Sequence, residues 1–192
     1  MLGLAMQDQK TMVVVADTSG SMGEHGKALL VRNLIAYVRE TFRLSVEPSL
    51  LGNCTVLLWN EQITVVEPAP EEDLPHFEVG GRAQMQPLLV ALEQIRAVAG
   101  EMRVLLVSDG HFSGSDHSAF KAWQRRHPAV SVRTLAVGPD AVHTVLRKLA
   151  EPCGAFAAED VSCAIGTWTL PREPTLPTFL TDLIHDAAGG PP

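Results

Sequence analysis

Four apolar runs in the chain are continuous instead of alternating: TMVVVA (11–16), CTVLLW (54–59), RVLLVS (103–108) and VSVRTLAV (130–137). Continuous apolarity is what a strand covered on both faces requires, so these runs predict the inner strands of a parallel sheet. QITVVE (62–67) follows the second run after only Asn60 and Glu61, a gap that predicts a hairpin and an antiparallel strand at the sheet edge. GAFAAE (154–159) offers a weaker sixth strand.

Between the runs the period changes from two to about 3.6. Ala28, Val31, Ile35, Val38 and Phe42 form one stripe of a helix over 27–44. Met85, Leu88, Leu89, Leu92 and Ile95 form another over 85–99, with Pro87 tolerated in the first turn. Shorter helices are predicted at 117–127 and at 140–150, the latter capped by Asp140. Strands alternating with helices predict an α/β fold: a doubly wound, mostly parallel six-stranded sheet with one antiparallel edge strand and helices on both faces.

Past Ala164 the texture changes. The domain is therefore drawn at 8–165, and 166–192 is read as a proline-rich strap followed by a C-terminal helix carrying Phe179, Leu180, Leu183 and Ile184. The acidic EPAPEEDLP (67–75) reads as a solvated loop.

Composition narrows the function. The 192 residues carry a formal charge of −7, and basic residues do not cluster beyond Arg125-Arg126, which argues against a nucleic-acid partner. Cys54, Cys153 and Cys163 form no CxxC pair, so neither a disulfide framework nor a cysteine zinc site is indicated. There is no basic, apolar leader at the N-terminus and no apolar run of the ~18 residues that a membrane span needs. The expectation is a cytoplasmic protein without a membrane partner.

The chemistry gathers where strands end. In open α/β sheets ligands bind outside the carboxyl ends of the strands, where strand order reverses. Asp17 ends the first run and Asp109 the third, and their carboxylates converge if the two strands are neighbours. Close carboxylates repel unless a cation or proton lies between them. Ser19 and Ser21 add two hydroxyls at alternate positions, and carboxylates with hydroxyls suit Mg²⁺ or Mn²⁺. Gly20 and Gly23 are read as permitting the turn. A second reading stays open, in which Asp17, Ser19 and Ser21 only cap the helix beginning near Glu24.

DTSGS (17–21) after an apolar strand resembles the DxSxS motif of the von Willebrand factor A (vWA) domain, and SDG (108–110) is similar to that family's later acidic loop. The resemblance runs over about residues 11–160. It implies a metal-ion-dependent adhesion site, with Ser19 and Ser21 ligating directly and Asp17 and Asp109 directly or through water. A partner's Asp or Glu would fill the open position. The sequence departs from the family in the middle loop, where a ligating Thr usually follows a Gly-Gly pair. Here Gly80-Gly81 is followed by Arg82, Ala83 and Gln84, and Gln84 is the substitute that offers an amide oxygen.

Three functions follow as expectations. The first is a non-enzymatic interaction module that binds an acidic partner residue through a divalent cation. Its rim is Met22, Arg82, Gln84, His111 and Phe112, and it sits in a bacterial multiprotein system beside an ATPase or another subunit. The second is a degenerate, metal-free scaffold subunit. The third is a metal-dependent phosphotransferase or hydrolase using Asp17, or an acyl transfer at Ser21. Ser19 stands where a phosphotransferase needs a second Asp and where a GxSxG elbow needs Gly.

Overall fold

In the computed structural model, residues 10–44, 53–66 and 76–169 are described. The chain runs β1 (Lys10–Asp17), α1 (Lys27–Leu44), β2 (Asn53–Trp59), β3 (Ile63–Val66), α2 (Met85–Val98), β4 (Glu101–Ser108), α3 (Gly114–Arg126), β5 (Ser131–Ala136), α4 (His143–Leu149), β6 (Ala155–Ala157) and α5 (Val161–Thr169). Short 3₁₀ turns lie at Gly20–Gly23 and Ala158–Asp160. The six strands form one sheet in the order β3-β2-β1-β4-β5-β6. β3 is antiparallel to β2, and every other pairing is parallel.

β1 lies at the centre because both of its faces are covered. Met12, Val14 and Ala16 point to one side, where Val31, Leu34, Ile35 and Val38 of α1 and Ala164, Ile165 and Trp168 of α5 pack on them. Val13 and Val15 point to the other, against Leu88, Leu89 and Leu92 of α2 and Phe120 and Trp123 of α3. The period-two alternation of a strand thus feeds two separate cores, and each fully buried Val in β1 contributes about 1.5–3 kcal/mol. Leu34, outside the predicted α1 stripe, joins it in the core.

The helices differ from expectation at their starts. α3 begins at Gly114, three residues early, because the Ser113 hydroxyl accepts the Asp116 amide at 3.1 Å and caps it. α4 begins at His143, and its N-cap is Val142 without a side-chain bond. Asp140 is not its cap, because its carboxylate is taken by Lys27 at 2.7 Å. The β2–β3 hairpin turns through three residues, Asn60 to Gln62, with the Asn60 side chain accepting the Gln62 amide at 2.9 Å.

Helix α5 has no predicted counterpart. Two arginines of the sheet hold it: Arg103 donates to the Trp168 carbonyl at 2.7 Å, and the Arg133 guanidinium stacks 4.2 Å from the Trp168 ring centre. The loop 67–75 and residues 170–192 of the expected strap and terminal helix lie outside the described residues, whereas 166–169, drawn as the start of the strap, close helix α5. Among the described residues no helix is long and apolar enough to cross a membrane.

Candidate metal centre

The order of strands places the site. The chain moves outward from β1 through β2 to β3, then crosses to β4 on the other side, so strand order reverses between β1 and β4. These two strands pair in register, Ala16 beside Val107, and their carboxyl ends bring Asp17 and Asp109 to one crevice. Both acids are buried, at 1% and 0% exposure.

Asp17 is braced on both oxygens. Oδ1 accepts the Ser19 amide at 2.9 Å, and Oδ2 accepts the Ser108 hydroxyl at 2.6 Å. The same Ser108 oxygen accepts the Gly110 amide at 2.9 Å, so one hydroxyl ties the end of β1 to the acidic loop after β4. Burial drives the Asp17 carboxyl above its usual pKa, by more than the hydrogen bonds from Ser108 and Ser19 draw it down; Asp109 adds to the rise.

The two loop serines face each other. Ser19 Oγ and Ser21 Oγ stand 3.3 Å apart, and the Ser19 side chain makes no capping bond to the turn at Gly20–Gly23. In an octahedral Mg²⁺ shell with bonds of 2.0–2.1 Å, neighbouring oxygens are about 3 Å apart. The pair is spaced for two adjacent ligands, and the donor set of hydroxyls backed by a carboxylate fits a hard divalent cation. Both serines line a cavity of about 650 Å³, together with Arg82, Gln84, His111 and Asp116 among others.

The middle loop is tied to the serine loop by its backbone. Gly80 N–H donates to the Thr18 carbonyl at 2.9 Å, and Gly20 N–H to the Gly81 carbonyl at 3.0 Å. Gly81 takes a φ of +68°, whereas Gly20 and Gly23 stay outside the left-handed region, and the positive φ values of the turn into α1 fall on His25 and Gly26. Trp59 Nε1 donates to the Gln84 carbonyl at 2.6 Å, fixing the far end of the loop. Ala83 is buried at the cavity wall, so no hydroxyl is supplied there.

Other residues expected at the rim divide by position. Arg82, Gln84 and His111 are exposed at the cavity. Phe112 is half-buried, its ring 5.4 Å from that of Trp59. Met22 is fully buried in the core shared with α1 and offers no surface there.

The sequence assigned no role at the site to Lys27, Ser108 or Asp116. Asp116 accepts the Met85 amide at 3.3 Å at the start of α2 and also the Ser113 hydroxyl. Lys27, on the first turn of α1, is fully buried, and its ammonium donates to Asp109 Oδ2 at 2.9 Å and Asp140 Oδ2 at 2.7 Å. Burial works to lower the Lys27 pKa, the two carboxylates work to raise it, and the balance is upward. Asp140 is held below the usual carboxylate range, first by its bond to Lys27. Among the described residues one group of acid and imidazole donors, Asp109, His111 and Asp140, brings its atoms within 4.8 Å of one another.

No known family profile matches the sequence, and no curated protein matches it. Solved structures do match. Manganese-loaded TRAP protein of Plasmodium vivax superposes with a TM-score of 0.64 at 16% identity, over 84% of this chain and 74% of that one. The ArnB paralog VWA2 of Sulfolobus acidocaldarius gives 0.59 at 17% identity, over 84% of this chain and 44% of that one. The fold is that of the vWA domain. Proximal thread matrix protein 1 of the mussel byssus, with a zinc-occupied metal-ion-dependent adhesion motif, matches at 0.56 and 14% identity. That match covers 84% of this chain and 46% of the mussel chain, so this vWA-like chain spans less than half of two of these three proteins. Two of these vWA-fold structures hold manganese or zinc.

Proposed function

We propose that the chain is a non-enzymatic protein-interaction module that binds an acidic residue of a partner through a divalent cation held by Ser19, Ser21 and Asp17. The observation that carries this reading is the facing pair of hydroxyls, 3.3 Å apart at the wall of the cavity, with no capping bond from the Ser19 side chain. The cation, Mg²⁺ or Mn²⁺ by the chemistry of its oxygen donors, supplies an open coordination position for a carboxylate. Ser19 and Ser21 hold it, Asp17 compensates its charge from behind, and Ser108 keeps Asp17 aimed. Arg82 and His111 at the cavity mouth favour an anionic partner group, and Gln84 adds an amide beside them.

The metal-bearing vWA-fold neighbours support the chemistry, and a role within a bacterial cytoplasmic assembly remains part of this proposal. A second reading, a scaffold that works without metal, is favoured by one observation: the absence of a hydroxyl at Ala83. An Asp/Glu-containing peptide and its Asn/Gln counterpart, each measured in Mg²⁺ and in EDTA, separate the two readings. The proposal expects binding of the acidic peptide alone, in Mg²⁺ alone, with loss in Asp17→Ala. Equal binding in EDTA would favour the metal-free scaffold.

A further inference from the structure

The acidic crevice already contains a cation, and it is a side chain. Lys27 Nζ lies 2.9 Å from Asp109 and 2.7 Å from Asp140, with neither the lysine nor Asp109 exposed to solvent. The Asp109, His111 and Asp140 donors that come within 4.8 Å of one another are thus spanned by an ammonium, with His111 Nε2 at 3.6 Å from Asp140.

The backbone makes room for this arrangement. Gly138, at φ +92°, passes so close to the lysine stem that a Cβ there would stand 2.7 Å from Lys27 Cε and 2.9 Å from Cδ. It would also stand 3.0 Å from Asp140 Oδ1. Three segments far apart in sequence, the start of α1, the loop after β4 and the loop after β5, converge on one nitrogen. A buried lysine without partners is expensive, and one that meets two carboxylates is a built pair.

We propose that Lys27 is the resident cation of this crevice: it neutralises Asp109 and Asp140 in place of a divalent ion and draws Asp109 away from the ion held by Ser19 and Ser21. The crevice keeps its shape with or without metal, and the divalent site works with Asp17 as its principal acid. The second half of this assignment rests on the proposed cation at Ser19 and Ser21; the first half does not.

The test is a set of thermal melts of the full chain in EDTA and in millimolar Mn²⁺. The proteins are wild type, Lys27→Met and Lys27→Met/Asp109→Asn. Lys27→Met leaves a buried carboxylate unpaired and is expected to melt on the order of 10 °C below wild type in EDTA. Asp109→Asn in the same chain should recover at least half of that loss, because it removes the orphaned charge. Mn²⁺ should raise the melting point of Lys27→Met by more than that of wild type, and bind it roughly tenfold more tightly, as Asp109 becomes available to it.

Three results would overturn the assignment. One is a single variant that melts within about 2 °C of wild type in EDTA. Another is a double variant no more stable than the single, which would mean that the lysine only fills space. The third is a wild type that binds Mn²⁺ with a response identical to that of Lys27→Met. If the single variant does not fold in EDTA, a folded double variant supports the assignment and an unfolded one counts against it. A wild type that takes up no Mn²⁺ sinks the proposed function alone, since the EDTA melts judge Lys27 without any divalent ion.

Discussion

Gly110, the glycine of the Asp-Gly pair after β4, carries a prediction whose size can be worked from its surroundings. Its φ is +81°, and a Cβ there would lie 3.0 Å from the Val142 carbonyl oxygen and 3.1 Å from Leu146 Cγ. Placing alanine in the left-handed region costs about 1–2 kcal/mol. Overpacking adds about 1–3 kcal/mol, and here the nearest atom is backbone that cannot swing aside. Val142 is itself fixed, since its amide donates to the Asp109 carbonyl at 2.7 Å. Gly110→Ala should therefore lose about 2–5 kcal/mol, and at about 2–4 °C per kcal/mol for a chain of this size its melting point should fall by roughly 5–20 °C. Circular dichroism melts with urea titrations measure both. Gly110→Asn, better suited to a left-handed φ, should cost less in backbone strain while keeping the steric part. An alanine variant as stable as wild type would refute the view that this loop is pinned between β4 and the start of α4.

The remaining predictions concern the site wall, the helix pair α2–α3 and the thiols. Ala83→Thr, which adds a hydroxyl at the cavity, should raise Mn²⁺ affinity roughly tenfold by calorimetry, and unchanged affinity would show that position 83 does not reach the ion. Glu93 joins α2 to α3 by accepting Trp123 Nε1 at 3.1 Å and lying 2.9 Å from His127 Nε2. Its pKa is pulled down to about 2, first by Arg96 and next by Trp123. A depressed carboxylate stabilises above its unfolded pKa and loses that contribution as pH falls through the folded one, so wild type should lose stability relative to Glu93→Gln between about pH 4.5 and 2 in acid melts. Burial pushes the Cys54 thiol up to about 11, whereas Cys153 and Cys163 are exposed. An alkylating reagent at pH 8 should modify two thiols per folded chain and the third only on unfolding, as mass spectrometry would count.

The sheet was legible because strands buried on both faces must be apolar throughout, and the runs that became β1, β2, β4 and β5 were found within two residues of their ends. The β3 hairpin was equally legible, since its partner follows after a short polar turn. Helix α5 was hidden: VSCAIGTWT mixes β-branched residues and glycine, and it is held by Arg103 and Arg133 from the sheet. At the site, Asp17, Ser19, Ser21 and Asp109 could be named because each stands at or just after a strand end. Lys27 could not, since a lysine opening a helix reads as a solvated boundary until Asp109 and Asp140, 82 and 113 residues later, are brought to it. Asp140 was misassigned for the same reason. A carboxylate just ahead of a helix looks like a cap when its distant partner is out of view. Met22 directly follows Ser21 yet points into the core, because the 3₁₀ turn at Gly20–Gly23 rotates it inward.

The function proposed for the site turns on a divalent cation held by Ser19 and Ser21. A calorimetric Mn²⁺ titration of chelator-stripped wild type beside Ser19→Ala/Ser21→Ala tests it most directly, with melts of both proteins in EDTA as the control for folding. Wild type should show one saturable site with an upward shift in melting point, and the variant no binding while it remains folded. No heat in wild type at millimolar Mn²⁺, or the same binding in both proteins, would contradict it.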